Sequence, residues 1–547
     1  MGEGTENTGW EDICMLLGGI MGDNKLIPFF QKTDKITEIR VNQREALDKL
    51  WDLLENGFTK IILEVPTGGG KGAIGNTAFN YFNSLDKSCL YTSPLNELVN
   101  QIESSGFGFD TLKGRRNYPC LAKKPDCGVG YCRVGKCPNT QVPRIRACKD
   151  KPYGDCGRCV CWKCIYKITF LKYKESKKGN TNFTLFMMGV TNNYSVLVAD
   201  ECDSIEQTVR EHYSVTLPIL INKSDFIDHL EPLQEYMEYL SGEINKLDPN
   251  VISDEQFRKR EEYMKLYGKI NGMLEDVANH GEMWCVTTKP LNQRTQYQPI
   301  TIERFLEPLL ANKIVIMMSA TPPSYPNYTK IEVDSVFPIE TRQWSYVPLG
   351  GMSKDSRNAT IPKLAVWLSK LKGKSIIHCV SEQTAAKIAE PLRMLGIYPL
   401  QQVKGNGESN EHTVTRYDAI KAFIESKDKD KIYLSYKMDR GVDLWQKDIL
   451  NNVIGVLPFK NPTEPLIKAR RRLLGEKEAK KIEDEEVARD IAQMMGRTFR
   501  NADFGEYNGI PTPKRGYIVA SEWGWWYKSR KKLFPKYFRE SELKVKK

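Results

Sequence analysis

Residues 64–72 could bind a phosphate group. They read EVPTGGGKG and lie between a predicted strand, KIILEV, and a predicted helix, AIGNTAFNYF. Glycines let backbone N–H groups turn toward phosphate oxygens, the helix start adds partial positive charge, and Lys71 adds a full one. A plain glycine-rich turn is the alternative. The predicted loop consists of Pro66, Thr67, Gly68, Gly69, Gly70, Lys71 and Gly72.

A second stretch, VLVADECD at residues 196–203, ends an apolar strand in two adjacent carboxylates. Asp200 could hold Mg²⁺ directly or through water, and Glu201 could orient and deprotonate an attacking water. Such a strand end is strong evidence for a nucleotide site only when a phosphate-binding loop precedes it in the chain. One residue departs from the usual loop, because Gly72 stands where a Ser or Thr hydroxyl normally contacts Mg²⁺.

Near the end of the chain, QMMGRTFR at residues 493–500 supplies arginines on a predicted helix. Arg497 and Arg500 are three residues apart and would share a helix face, close to Gln493. A planar guanidinium suits the spread charge of a phosphoryl group in transfer. The alternative is a pair of surface arginines. We predict Lys71, Asp200, Glu201, Gln493, Arg497 and Arg500 as the catalytic residues.

The cysteines and the positive charge concentrate in one part of the chain. Nine of the 14 cysteines lie between Cys120 and Cys164. An intracellular protein would not usually use so many thiols in disulfides, so we expect a metal there. Residues 113–178 contain 18 Lys and Arg but 4 Asp and Glu, in a chain of net charge +11. This block predicts a surface for a polyanion, with a merely solvated face as the alternative.

The elements around these residues predict how they are positioned. Strands alternate with helices from about residue 42, which predicts parallel sheets with both faces covered. The alternation is interrupted twice and then resumes as a second α/β unit. The predicted segments are a lead-in at 1–35, a first domain at 36–112, 168–205 and 312–341, a Cys-rich insertion at 113–167, a largely helical insertion at 206–311, and a second domain at 342–547.

The chain is predicted to be intracellular and soluble. No apolar run approaches the ~20 residues that cross a bilayer. The first ten residues are polar and acidic, without the basic start and apolar stretch of a secretory signal.

In their order, the loop, the acidic pair and the arginine run resemble helicase superfamily 2. Five further motifs make the chain similar to the XPD/DinG family of DNA helicases. The resemblance covers about residues 40–520. The motifs are KGRRNYPC at 113–120, CGRCVCWKCIY at 156–166, SAT at 319–321, LSYKMDRGVDL at 434–444 and LPFKNPTEPLIKAR at 457–470.

This resemblance implies an α/β fold with two RecA-like parallel-sheet motor domains in tandem. An iron–sulfur domain and a mostly helical arch domain would interrupt the first. It also implies ATP-dependent DNA unwinding with 5′-to-3′ movement, in repair, replication or recombination. The partners would be single-stranded and forked DNA, and the motor would be a monomer. The chain would be cytoplasmic, or associated with nucleoid or nuclear DNA. Gln43 would contact the nucleotide base, and Asp443 would also bind nucleotide.

The family's cluster is 4Fe–4S, which needs four thiolates. Cys120, Cys156, Cys159 and Cys164 are the predicted ligands, and Cys161 could replace Cys159. The other four clustered cysteines could bind a zinc ion or stay free thiols. Zinc throughout the module is the rival, because tetrahedral thiolate sites suit both metals.

Three residues depart from the family pattern: Gly72, Asp203 in place of the usual His, and Arg440 in place of a frequent acid. They leave two other functions open. One is an ATP-binding nucleic-acid remodelling factor with weak hydrolysis, and the other is a zinc-containing RNA helicase of the same superfamily. Five aromatic residues among the basic ones could stack unpaired bases or pack in a core, and for Trp162 the core is favoured: Tyr118, Tyr131, Tyr153, Trp162 and Tyr166.

Overall fold

The architecture comes from a computed structural model of the chain. It describes residues 24–33, 36–118, 165–189, 194–223, 225–247, 254–289, 293–401, 416–436, 444, 446–499 and 504–543. Within this described part, no helix is both long enough and apolar enough to cross a bilayer.

The first α/β domain is built on a parallel sheet with the strand order β10-β1-β9-β5-β2-β4-β3. Its strands are β1 (Lys60–Glu64), β2 (Cys89–Ser93), β3 (Asp110–Thr111), β4 (Lys178–Asn182), β5 (Val196–Asp200), β9 (Ile314–Ser319) and β10 (Thr329–Glu332). Its helices are α1 (Val41–Glu55), α2 (Lys71–Ser84), α3 (Asn96–Glu103), α4 (Ile165–Glu175), α5 (Phe183–Met187) and α6 (Ile205–Tyr213).

Both faces of this sheet are buried, which explains why its central strands β1, β5 and β9 are largely apolar. Alternate residues of β9 enter opposite cores: Ile316 and Met318 pack on one face, Val315 and Met317 on the other. The strand order places β9 between β1 and β5. Because the three strands are parallel, the loops that follow them meet at one edge of the sheet.

The insertion between β5 and β9, predicted as largely helical, also contains a small sheet. Its helices pack with a three-stranded antiparallel sheet of order β6-β8-β7 around a small core. The insertion elements are β6 (Val215–Pro218), α7 (Leu230–Asn245), α8 (Asp254–His280), β7 (Trp284–Lys289), β8 (Arg294–Pro299) and α9 (Glu303–Leu310).

The second α/β domain also has a parallel sheet, of order β11-β18-β15-β12-β14-β13, and a separate hairpin of β16 and β17. Its strands are β11 (Trp344–Gly350), β12 (Lys374–His378), β13 (Leu400–Gln401), β14 (Ile432–Ser435), β15 (Ile449–Ile454), β16 (Gly505–Tyr507), β17 (Ile510–Thr512) and β18 (Arg515–Ala520). Its helices are α10 (Arg357–Leu368), α11 (Glu382–Met394), α12 (Arg416–Glu425), α13 (Pro465–Leu474), α14 (Glu476–Gly496), α15 (Glu522–Arg530) and α16 (Lys536–Glu540).

The predicted arrangement of two α/β domains in tandem is confirmed by these two parallel sheets. The limits of the predicted segments stay predictions. Most of the Cys-rich insertion lies outside the described residues, from 119 to 164.

Candidate nucleotide site

The loop between β1 and α2 has a backbone that favours glycine. Gly68 and Gly70 have φ angles of +79° and +83°, in the left-handed region that strains other residues. A Cβ atom on Gly70 would lie 2.1 Å from Gln43 Nε2, so a side chain there would displace the Gln43 amide. Helix α2 begins at Lys71 directly after the loop. A glycine backbone that runs into a helix start is a geometry that fits a phosphate group.

Side chains at the start of α1 hold this loop in place. Arg40 Nη1 donates to the carbonyl of Gly68 at 3.1 Å, and Asn42 Nδ2 donates to that of Gly69 at 3.0 Å. The buried Gln43 accepts from Arg40 N at 2.9 Å through its Oε1. The predicted contact of Gln43 with a base stays a prediction. Sequence reasoning missed Arg40 and Asn42, although they directly precede Gln43 at a helix start.

The lysine of the loop faces the acidic pair. Lys71 Nζ lies 3.2 Å from Glu201 Oε1. Glu201 has a φ of +50°, which is uncommon for a residue other than glycine. Ser204 fixes this turn, because its Oγ donates to the Glu201 carbonyl at 2.8 Å and its N at 3.1 Å. Strained backbone of this kind is found at functional sites, where the surroundings hold it.

Asp200 is held by hydrogen bonds to both carboxylate oxygens. Oδ1 accepts from Glu201 N at 2.9 Å, and Oδ2 accepts from the hydroxyl of Tyr91 at 3.0 Å. Burial raises the pKa of Asp200 to about 6, with Glu201 acting in the same direction and Lys71 in the opposite one. The oxygens of two adjacent carboxylates fit a divalent cation that prefers oxygen ligands. Asp200 and Glu201 therefore suit the predicted Mg²⁺.

Gly72 leaves this site without a hydroxyl at the first residue after Lys71. A Cβ atom on Gly72 would lie 3.3 Å from Ile102 Cδ1, the end of a flexible side chain. The hydroxyl bonded to Asp200 comes instead from Tyr91 on β2, the strand next to β5. Sequence reasoning missed Tyr91, since nothing in its local sequence shows that it reaches across to Asp200.

The second domain enters the site through helix α14. Gln493 Nε2 donates to Asp203 Oδ2 and, at 3.0 Å, to Thr321 Oγ1. Ser319 Oγ donates to Asp203 Oδ1 at 2.7 Å, and Arg489 Nη1 donates to the Asp203 carbonyl at 3.4 Å. The buried Asp203 thus joins the acidic segment, the SAT motif and the second domain.

The end of α14 touches the phosphate loop. A Cβ atom on Gly496 would lie 3.1 Å from Thr67 Oγ1. The helix ends at Gly496, so Arg497 lies in the turn beyond it rather than on the predicted helix face. Burial, together with the charge of Arg497, lowers the pKa of His378 to about 4. Arg500 lies outside the described residues.

Several predicted residues cannot be placed in this geometry because they lie outside the described residues. The cluster and zinc assignments stay predictions for this reason. Among the described residues, no three or more His, Cys, Asp or Glu side chains group as a metal site. The residues outside are Cys120, Cys156, Cys159, Cys161, Cys164, Arg440 and Asp443.

The comparisons with known proteins agree with this two-domain arrangement. Residues 364–506 match the family model of the helicase C-terminal domain. The structure of S. tokodaii Xpd4 is similar with a TM-score of 0.51 and 13% identity over 90% of this chain and 97% of its own. Apo XPD is similar with a TM-score of 0.50 and 14% identity over 88% of this chain and 97% of its own. No curated protein matches by sequence.

These findings define the class of protein by its fold, two parallel-sheet α/β domains in tandem, and by a match to one helicase domain model in the second. More narrowly, the chain has the XPD-like fold, and its second domain contains the helicase C-terminal domain.

Proposed function

We propose that this chain is an ATP-driven motor that moves 5′ to 3′ along a single DNA strand and separates duplex DNA. The observation that carries the proposal is the join between the two domains. Gln493 of the second domain is bonded to Asp203, three residues beyond Asp200 in the first. A nucleotide on the loop at residues 66–72 would lie beside this join. Its binding and hydrolysis would therefore act on the contact between the domains.

The charged side chains have separate tasks in hydrolysis. Lys71 binds the phosphate oxygens of ATP and in doing so leaves its partner Glu201, 3.2 Å away. Glu201 is then available to orient the attacking water and to accept its proton. Asp200 would hold Mg²⁺, and the ion would supply positive charge opposite the charge that develops on the phosphates. Arg497 and Arg500, from the second domain, are the proposed partners of the transferring phosphoryl group.

Asp203 links the chemistry to movement. Its carboxylate accepts from Ser319 on one side and Gln493 on the other. A shift of the loop after β5 would therefore change a hydrogen bond of the second domain directly. The family usually has His at this position. We propose that Asp203 performs the linking role here with two acceptor oxygens.

A strip of aromatic and cationic side chains on the first domain supports nucleic acid as the partner. We call it the aromatic–cationic strip, and it comprises Arg115, Tyr118, Tyr166, Phe170 and Lys174. Tyr118 and Tyr166 are in edge contact at 5.4 Å, and the Arg115 guanidinium lies 5.5 Å from the Tyr166 ring. Lys174 Nζ lies 5.2 Å from the Phe170 ring. Such a surface suits phosphates together with unpaired bases.

The motif resemblance supports four parts of the proposal: DNA as substrate, the 5′-to-3′ direction, the 4Fe–4S cluster, and a role in repair, replication or recombination. The strip lies on both sides of the Cys-rich segment in sequence, so we propose that the cluster-bearing module and the strand contact are neighbours. The rival functions are weak hydrolysis, which Gly72 favours, and a zinc-containing RNA helicase.

The test is the rate of ATP hydrolysis with no nucleic acid, with oligo(dT) and with a matched RNA. We expect DNA to stimulate ATP hydrolysis strongly. In Lys71→Ala, kcat should fall by at least about 100-fold, because the phosphates no longer contact a lysine. Forked duplexes with one 5′ or one 3′ tail then give the direction. No stimulation, with Lys71→Ala equal to the wild type, would overturn the motor. Stimulation by RNA alone would favour the RNA helicase.

The metal is tested separately by anaerobic purification and metal analysis. A brown protein with iron and broad absorbance near ~400 nm supports the cluster. A colourless protein with zinc contradicts it.

A further inference from the structure

The hydroxyl that reaches Asp200 belongs to a residue that the phosphate-loop motif does not include. Tyr91 is buried in β2, and its hydroxyl donates to Asp200 Oδ2 at 3.0 Å. Burial raises the pKa of Tyr91, and the charges of Asp200 and Glu201 raise it further. A tyrosine hydroxyl carries its proton near neutral pH, so Tyr91 acts as a donor to the Asp200 carboxylate. The other oxygen of Asp200 accepts from Glu201 N at 2.9 Å, so both are held.

The packing of α2 against the sheet makes room for this tyrosine. A Cβ atom on Gly75 would lie 2.9 Å from Tyr91 Cε2 and 3.0 Å from Val198 Cγ1. Both distances are too short for a side chain, so only glycine lets the ring lie between α2 and β5. Gly72 is three residues earlier and lies on the same side of the helix. Gly75 thus lies where α2 passes Tyr91, one turn after Gly72.

Gly72 also removes the oxygen that a Ser or Thr would offer to Mg²⁺. The metal must then depend more strongly on Asp200, phosphate oxygens and water. The direction of the Asp200 carboxylate, which Tyr91 fixes, becomes correspondingly more important for metal affinity. Gly72 therefore weakens the metal site, and it also increases the contribution of Tyr91, which orients the remaining ligand Asp200.

We propose that Tyr91 is a positioning residue that compensates for Gly72 by holding the Asp200 carboxylate in the direction that binds Mg²⁺. The proposal rests on the proposed nucleotide site. It says that positions 72 and 91 are coupled, so that a hydroxyl at 72 reduces the need for the one at 91.

The experiment is a double-mutant cycle with Tyr91→Phe, Gly72→Ser and the double variant. The main readout is metal affinity, measured with Mn²⁺ by EPR on each protein saturated with a non-hydrolysable ATP analogue. The second is the Mg²⁺ concentration for half-maximal ATP hydrolysis. Tyr173→Phe is the matched control, because Tyr173 is also buried in this domain but packs on the opposite face of the sheet. Binding of a fluorescent ATP without metal shows whether the phosphate loop stays intact.

We expect Tyr91→Phe to weaken Mn²⁺ binding by about tenfold, as for loss of a hydrogen bond to a charged group. Metal-free nucleotide binding should not change. Gly72→Ser should strengthen Mn²⁺ binding several-fold, and Tyr91→Phe should then cost less than threefold. Tyr173→Phe should bind Mn²⁺ as the wild type does.

Equal Mn²⁺ affinity of Tyr91→Phe and the wild type would overturn the proposal, as would the same loss in both backgrounds. If Tyr91→Phe does not fold, Gly72→Ser alone decides, because unchanged Mn²⁺ affinity there contradicts the missing-ligand argument. A wild type that binds no ATP would instead contradict the proposed function itself.

Discussion

At Asp200 the chain keeps a carboxylate in a place that burial makes costly. Burial raises its folded-state pKa to about 6, from an ordinary 3.8. Above pH 6 the folded protein therefore holds an ionised group that water would solvate better. As pH falls from about 6 toward 4, the folded state takes up the proton first and this cost disappears. Mg²⁺ and nucleotide would offset the same cost by supplying opposite charge.

Asp200→Asn should therefore stabilise the metal-free, nucleotide-free protein at pH 8 while abolishing hydrolysis. A shift of this size predicts a gain of about 1–3 kcal/mol in the free energy of unfolding, since each pKa unit is worth ~1.4 kcal/mol. The gain should shrink by more than half at pH 4.5. Urea unfolding at the two pH values measures it. The exposed Asp355→Asn is the control, and a gain that does not change with pH would contradict this explanation.

Helices α13 and α14 carry a second polar contact between the domains. Arg470 of α13 lies 3.4 Å from Glu206 of α6 and 2.9 Å from Glu486 of α14. Arg210, one turn along α6, pairs with the same Glu206. Burial alone would raise the pKa of Glu206, but Arg210 and Arg470 hold it below its usual value. The three helices are thus joined by one charge cluster.

Glu206→Gln should loosen this junction, because it leaves the buried Arg470 without one of its two carboxylates. Removing one partner of a buried ion pair typically lowers the free energy of unfolding by about 3–5 kcal/mol. Because Glu206 is partly exposed and Glu486 remains beside Arg470, we expect a loss of about 1–3 kcal/mol. The measurement is urea unfolding at pH 7 in low and high salt. Glu243→Gln, in an exposed pair with Lys246, should show no measurable change. Equal effects of the two variants would indicate that the junction adds nothing.

The sequence predicts the two parallel sheets well but not the small antiparallel sheet of the insertion. Strands such as β5 and β9 bury apolar residues on both faces of the sheet, and β18 is predicted at its observed bounds, Arg515–Ala520. β8 alternates buried and exposed residues in RTQYQP, and only Thr295, Tyr297 and Pro299 are buried. Such a short, polar strand gives little signal beside the long helix α8, whose 27 residues dominate the pattern.

The same limit applies to the site. The loop, Asp200 and Glu201 are predictable because each lies in a continuous motif, and the structure brings Lys71 to Glu201. Tyr91 and Asp203 act across strands or domains, with partners 109 and 290 residues away in the chain. No local pattern encodes such pairs. They depend on the order β1-β9-β5-β2 and on the way the domains pack.

Over the whole molecule, positive charge concentrates in residues 113–178, while the rest of the chain is close to neutral. Such a field would attract a nucleic-acid strand mainly through its phosphates, so binding should weaken steeply with salt. The aromatic–cationic strip lies in the described part of this block. Arg115 and Lys174 are both exposed there, each beside an aromatic ring.

Replacing Arg115 and Lys174 together by alanine should therefore weaken binding to labelled oligo(dT) and make it less sensitive to salt. Each phosphate contact contributes about 0.7 to the slope of log affinity against log salt for a single strand, so the double variant should lose up to ~1.4. Fluorescence anisotropy between 50 and 300 mM salt measures this slope. Lys363→Ala, an exposed lysine on α10, is the charge control and should change it little. An unchanged slope and affinity in the double variant would mean that the oligonucleotide binds to another surface. A lower affinity with an unchanged slope would indicate lost base stacking rather than lost charge.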